Sequence, residues 1–197
     1  MTTDERKAGG VLWMRASACG AAVLVTLLAG CGAGTDPREA KAFRAPEKVE
    51  ACTLFPYQEA QVIAGAGVAS ISSTYDDAVG RDPKNCSYNA GSIEVPQILA
   101  LEVRPAKTVR EAERKQEAVR SYLTTLSKGQ VQDVPGVGDA ALWAGGTVEQ
   151  LHARKGAVNL VITIQAGKDP MAAAKQVAQL AFTRMEQQAA RTPATKP

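Results

Sequence analysis

TVEQLHARKGAVNLVITIQ, residues 147–165, is the most regular stretch of the chain. In its second half Val158, Leu160, Ile162 and Ile164 stand two residues apart and therefore share one face, with Asn159, Val161 and Thr163 between them. A period of two is typical of a strand with one face buried. Lys155-Gly156 stands where a tight turn is expected, so the stretch predicts two antiparallel strands, at 147–154 and 157–165.

Weaker patterns on the N-terminal side predict more strands. Leu99, Leu101 and Val103 share one face while Glu102 and Arg104 share the other, which predicts a strand over 97–104. Residues 134–143 combine a Gly-rich turn with an apolar end and predict another strand, and 86–90 predict a short one. Residues 68–85 are rich in Ser, Asp and Gly and are expected to form a loop.

Three segments carry helix signals. The first, 54–64, has a proline in its first turn. The second begins at Thr108, with Glu111 three residues later as in a capping box, and the third follows Asp169-Pro170. The order α-β-β-α-β-β-β-α predicts an α+β fold, in which an antiparallel sheet of about five strands has three helices packed mainly on one face.

Composition limits the classes of partner. The chain has 197 residues, of which 45% are hydrophobic and only 5% aromatic, so a core must be built from Val, Leu, Ile and Ala. A net charge of +3, from 23 basic and 20 acidic residues, is too small to favour nucleic acid.

The N-terminus has the pattern of an export signal. An apolar run over 16–30 ends in small residues, and it is preceded by three basic residues, Arg6, Lys7 and Arg15. Because a membrane-spanning helix needs about 20 apolar residues, a retained anchor helix is the less favoured interpretation.

Leu28-Ala29-Gly30-Cys31 resembles the lipobox of secreted bacterial lipoproteins. The resemblance implies export, cleavage after Gly30 and lipidation of Cys31; the alternative is an ordinary signal peptide in which Cys31 is incidental. The implied location is the cell envelope, on the extracytoplasmic face of the cell membrane or outer membrane, with the N-terminal lipid as the membrane contact.

This interpretation divides the chain into four parts. Residues 1–30 are a signal peptide that is removed, and 31–49 are a flexible tether. Residues 50–188 form a single α+β domain, and 189–197 are a disordered tail.

Four cysteines remain to be assigned. Cys19 leaves with the signal peptide and Cys31 is the lipidation residue, which leaves Cys52 and Cys86 in an oxidising compartment. An even pair there favours a disulfide. Two buried thiols or a metal pair are the alternatives, and the single histidine of the chain and the lack of Cys-x-x-Cys disfavour metal.

Several short motifs resemble a family of small secreted actinobacterial lipoproteins of unknown function. They are Cys52-Thr-Leu-Phe before a Glu-containing helix, Cys86-Ser-Tyr88, Pro135-Gly-Val-Gly-Asp-Ala-Ala141 and an Ala-rich last helix. The similarity spans residues 50–188 and departs from the family at Glu50-Ala51, where Asp-Pro is frequent. It implies the disulfide and an α+β fold, and it implies no catalytic residue.

Candidate site residues have structural alternatives. His152 lies on the strand face opposite Leu151 and is expected to point to solvent, because no Gly-x-Ser-x-Gly motif would present a serine to it. Tyr75, Tyr88 and Trp143 are possible ligand contacts or core residues.

Two further motifs could mark a phosphate or metal site. Gly136-Val-Gly138-Asp139 lacks the Lys and Ser/Thr of a phosphate-binding loop, so a turn entering a strand is favoured. Asp76, Asp77 and Asp82 match no calcium-loop spacing, and neither a metal nor a cofactor is predicted.

These observations favour a lipid-anchored, non-catalytic domain that binds an envelope protein, an envelope polymer or a small ligand. The alternatives are a structural or accessory subunit of an envelope complex and, less favoured, a hydrolase that uses carboxylates and His152.

Overall fold

The hairpin predicted from residues 147–165 lies at the centre of the structure, a computed structural model that describes residues 37–64, 68–72, 75–76, 80–81, 84–90, 99–126, 130–146, 149–165 and 168–191. The described strands are β1 (Val68–Ser72), β2 (Tyr75–Asp76), β3 (Gly80–Arg81), β4 (Asn85–Ala90), β5 (Leu99–Pro105), β6 (Val131–Asp133), β7 (Ala140–Ala144), β8 (Gln150–Lys155) and β9 (Val158–Ile164). The described helices are α1 (Pro37–Ala40), α2 (Ala51–Leu54), α3 (Tyr57–Ala64), α4 (Val109–Leu126) and α5 (Pro170–Arg191).

Seven of the described strands form one antiparallel sheet in the order β1-β4-β5-β9-β8-β7-β6. The central strand, β9, pairs with β8 through the predicted hairpin and with β5 along its whole length. The α+β class and the antiparallel sheet are confirmed. The predicted number of about five strands is wrong, because the sheet has seven and β2 and β3 form a separate pair.

The additional strands lie where the sequence has little periodicity. β1 and the β2–β3 pair fall within 68–85, which the Ser, Asp and Gly content assigned to a loop. β1 nevertheless buries Val68 and pairs with β4. β6 has three residues and lies at the other edge of the sheet, and so short a segment has too few residues to show a pattern.

One face of the sheet carries the main core, on which α5 packs against β8 and β9. The apolar stripe of α5 is fully buried there and comprises Ala174, Val177, Ala178, Ala181 and Met185. The helix begins as predicted, since the carboxylate of Asp169 accepts a hydrogen bond from the Ala172 amide at 2.9 Å.

The other face of the sheet is covered in part by α4. The side-chain amide of Asn159 on β9 donates to the carbonyl of Ala112 at 3.3 Å, and Leu123 packs against Leu142 on β7. The predicted packing of the helices mainly on one face is therefore wrong for α4. The predicted Thr108 cap does form, with the Glu111 amide donating to Thr108 Oγ1 at 3.0 Å, while the Glu111 carboxylate accepts from the amide of Lys107 instead of that of Thr108.

The predicted number of three helices is also wrong, because five are described. The two additional helices, α1 and α2, have four residues each, a length that leaves no periodic signal.

The predicted cysteine pair is confirmed, because the sulfurs of Cys52 on α2 and Cys86 on β4 lie 2.06 Å apart, at disulfide-bonding distance. A cross-link over this sequence separation contributes at most about 4 kcal/mol to stability in the chain-entropy model. The bond ties the four-residue α2 to the sheet, which a helix of that length needs.

Residues 37–49, named here the N-terminal strap, lie against the folded domain. The Phe43 carbonyl accepts a hydrogen bond from the Ala157 amide at 2.9 Å, and the Phe43 ring meets the edge of Phe182 at 6.2 Å. Arg44 donates to the carbonyl of Lys107 at 2.8 Å. The sequence assigned this segment to the tether; residues 31–36 of that tether lie outside the described residues.

Candidate functional site

A cleft of about 450 Å³ opens between α4 and the part of the sheet that α4 leaves uncovered. Its floor is the polar face of β4, β5, β9 and β8, and its wall is the second half of α4. Polar side chains of the floor include Asn85, Ser87, Glu102, Arg104, Gln150 and Thr163.

Strand register arranges the floor in rows. Asn85 on β4 stands opposite Glu102 on β5, and Glu102 stands opposite Val161 on β9. Val161 in turn stands opposite His152 on β8. Because directly opposed residues on one face have Cβ atoms about 4.5–5.5 Å apart, these four residues form a continuous row across the floor.

Three side chains at the inner end of the cleft form a hydrogen-bonded chain. His152 Nε2 lies 3.2 Å from Gln150 Oε1, which can only accept, so Nε2 carries the hydrogen. The Gln150 amide then donates to Thr163 Oγ1 at 3.0 Å. The hydroxyl hydrogen of Thr163 is left to donate elsewhere.

His152 is neutral in this environment. It is only 8% exposed, because α4 packs over its face of the sheet. Burial, reinforced by the charge of Arg104, lowers the pKa of the imidazole to about 4. The predicted solvent-facing position of His152 is therefore wrong, although its face opposite Leu151 is as predicted.

The charged groups of the floor are paired with each other. Arg104 Nε and Nη2 donate to the two carboxylate oxygens of Glu102 at 2.6 and 2.7 Å. Two parallel hydrogen bonds of this kind occupy the Nε–Nη2 edge of the guanidinium, one of the two edges that can bind a carboxylate or phosphate. The pair contributes no net charge to the cleft.

Asn85 holds an acceptor that no group satisfies. Its Oδ1 is buried and has no hydrogen-bond partner among the residues that the structure describes. An unsatisfied buried acceptor costs about 1–3 kcal/mol, so proteins seldom keep one without a use for it.

The wall contributes apolar surface. Val119 and Leu123 line the cleft, and Tyr122 beside them is 63% exposed. Leu126, one turn further along α4, is 54% exposed. A second cavity of about 300 Å³ continues the cleft under α4 past Lys115.

The remaining predicted site residues lie elsewhere. Tyr88 is fully buried against Phe55, whose carbonyl accepts its hydroxyl hydrogen, and burial raises its pKa. Trp143 packs into the main core on the other face of the sheet. Tyr75 lies in β2, but its side chain falls outside the described residues, as does Cys31.

Gly136-Val-Gly138-Asp139 is a turn that enters β7. Both glycines have positive φ, +80° and +59°, as the pattern predicts. The Asp139 carboxylate accepts from the Gly156 amide at 2.7 Å and from Arg154 at 3.1 Å. The motif therefore fastens the turn between β8 and β9, and its carboxylate is occupied by that contact.

Of the site residues predicted from the sequence, His152 is the one that the structure places in this cleft. Asn85, Gln150 and Thr163 were missed, because each is one polar residue in a strand and the pairing of distant strands makes them neighbours. Tyr122 could have been found, since it lies off the apolar stripe of α4 as a large exposed aromatic residue.

Fold and cleft together define a class: a disulfide-bonded α+β domain with a polar cleft beside one helix. No family model matches the chain, and no curated protein is significantly similar to it in sequence. Within the described ranges there is no group of metal-ligating side chains, and no helix there is long and apolar enough to cross a membrane.

Proposed function

We propose that this protein is a lipid-anchored, non-catalytic domain of the cell envelope that binds its partner or ligand through the cleft beside α4. The observation that carries the proposal is the buried, unsatisfied Oδ1 of Asn85 in the floor of that cleft. Because Asn85 lines the cleft, a turn of its side chain would present this acceptor to a ligand, and a ligand that donates to it adds a hydrogen bond.

The lipobox-like residues 28–31 support the envelope location. A disulfide between Cys52 and Cys86 fits the same location, because disulfides persist in oxidising compartments. Lipid attached at Cys31 would hold the domain at a membrane, and stable anchoring needs more than one acyl chain.

The arrangement of the cleft supports binding over catalysis. The hydrogen bond of His152 goes to the Gln150 amide oxygen, whereas a Ser-His-Asp relay orients its histidine with a carboxylate. Glu102, a carboxylate of the floor, is bound by two of the three guanidinium nitrogens of Arg104. Its two oxygens are thus already engaged, which disfavours a role for this carboxylate as the catalytic partner of His152.

Photo-crosslinking in the native envelope tests where the domain binds. A benzophenone side chain at Leu126, on the rim of the wall, should crosslink to envelope material. The matched control is a benzophenone at Val62, which is 81% exposed on α3. We expect products from position 126 that position 62 does not give; the same products from both, or none from 126, would refute binding at the cleft.

A further inference from the structure

We infer that the cleft takes a neutral, hydroxyl-rich ligand, the chemistry of a saccharide unit in an envelope polymer. The inference rests on the proposed binding function and adds the class of ligand. The ligand class follows from the hydrogen bonds that the described floor side chains can still form and from the apolar surface that the wall offers.

Charge disfavours ionic ligands. An anion would meet the negative charge of Glu102, which lies against Arg104 and already occupies the Nε–Nη2 edge of its guanidinium. A cation would meet Arg104 itself and, further under α4, Lys115. A neutral ligand faces neither cost, because it leaves the pair intact and Glu102 can still accept through its remaining lone pairs.

The free hydrogen-bonding groups match hydroxyls. Asn85 Oδ1 needs a donor, and Thr163, whose oxygen already accepts from Gln150, has a hydrogen to give. The hydroxyl of Ser87, next to Asn85 on the same face of β4, both donates and accepts. A sugar hydroxyl is likewise a donor and an acceptor, so it matches Thr163 and Ser87, and it can donate to Asn85 Oδ1 once the Asn85 side chain turns that buried atom into the cleft.

The wall suits the apolar faces of a sugar ring. Tyr122 presents an exposed ring beside Val119 and Leu123, and an aromatic ring is a large rigid contact with a polar tip. A volume of about 450 Å³ falls within the range of small-molecule sites. The polar floor therefore suits the hydroxyls of a sugar, and the aromatic wall suits the apolar face of its ring.

Titration of the full chain, purified from membranes in detergent, tests the ligand class. The probes are neutral oligosaccharides built from glucose, mannose, galactose and N-acetylglucosamine, with inorganic phosphate and trilysine as charged comparisons. We expect one or more neutral oligosaccharides to bind, measured by calorimetry and by shifts of the amide resonances of β4 and β5, and neither charged probe to do so.

Two variants locate the binding. Asn85→Ala removes the free acceptor and Tyr122→Ala removes the exposed ring, and each should weaken the oligosaccharide about tenfold, the equivalent of one modest interaction. Asn85→Ala should unfold at the same temperature as the wild type or higher, because it removes an unsatisfied group. Val62→Ala is the matched exposed control and should bind as the wild type does.

Three results would overturn the ligand class: no binding by any neutral oligosaccharide, binding that Asn85→Ala leaves unchanged, or phosphate or trilysine binding in the cleft instead. The proposed function has a separate test: it would be refuted by the crosslinking experiment if position 126 gave no products, or only those that position 62 also gives. A charged probe that Asn85→Ala weakens would leave the cleft as the binding site and exclude only the saccharide.

Discussion

At the scale of single residues, burial decides what His152 can do. Its sequence neighbours correctly place it on the face opposite Leu151, but the sequence does not show that α4 covers that face. Because α4 covers it, the imidazole is uncharged, and the hydrogen on its Nε2 is donated to Gln150. The consequence is a stability that depends on pH.

Acid should destabilise the protein through His152. The pKa of His152 is about 4 in the folded protein and 6.5 for a histidine in the unfolded chain. At pH values between these two, the unfolded chain therefore binds a proton that the folded chain does not. The contribution of His152 to stability is thus full above the unfolded pKa and falls as the pH drops towards 4. From pH 7 to pH 5 it amounts to about 2 kcal/mol.

Urea unfolding at the two pH values measures this contribution. His152→Gln keeps a neutral hydrogen-bonding side chain and should lose less stability between pH 7 and pH 5 than the wild type, by about 2 kcal/mol. Equal losses in the two proteins would show that His152 is not held neutral by the fold.

Two glycines of one turn make a matched test of backbone constraint. Both have positive φ, but a Cβ at Gly138 would overlap the carbonyl of Arg154, whereas a Cβ at Gly136 would meet no atom within 4 Å. Gly136→Ala should cost about 1 kcal/mol, the penalty of the left-handed conformation alone. Gly138→Ala should cost at least about 2 kcal/mol, and similar urea midpoints for the two variants would contradict the close contact.

At the scale of elements, the sequence predicts those with long periodic patterns. The hairpin β8–β9, strand β5 and helices α4 and α5 carry enough turns or alternations to be recognised, and their capping residues Thr108 and Asp169 act as expected. β1, β6, α1 and α2 are short, so tertiary contacts rather than local preference form them. The missed strands explain the wrong strand number.

The N-terminal strap is the segment for which the structure differs most from the expectation drawn from the sequence. Its composition is that of a tether, yet Phe43 supplies the ring contact with Phe182 and a backbone hydrogen bond to Ala157. A partly buried aromatic side chain can therefore fix a charged segment that has no periodic pattern of its own.

Truncation of Phe43 tests whether the strap belongs to the folded unit. Phe43→Ala should lower the free energy of unfolding by about 2 kcal/mol, less than for a fully buried phenylalanine because the ring is only partly buried. Lys41→Ala, a truncation at an exposed position of the strap, should cost below about 0.5 kcal/mol. Equal stabilities of the two variants would indicate that the strap contributes nothing to the fold.

At the scale of the whole molecule, the sheet separates two tasks. One face holds the main core with α5, and the other holds α4 and the polar cleft. The cleft could not be predicted from the sequence, because β5 and β9 meet across more than fifty intervening residues and only their pairing brings Glu102 near His152. The proposed envelope location, by contrast, rests on the four consecutive residues 28–31, so it could be proposed from the sequence without knowledge of the fold.

Membrane attachment through Cys31 is the central claim, and fractionation with labelled palmitate tests it most directly. The wild type should remain with membranes after an alkaline wash and carry the label, while Cys31→Ala should appear in the soluble fraction without it. An unlabelled wild type, or a Cys31→Ala protein that stays membrane-bound after the wash, would contradict the lipid anchor.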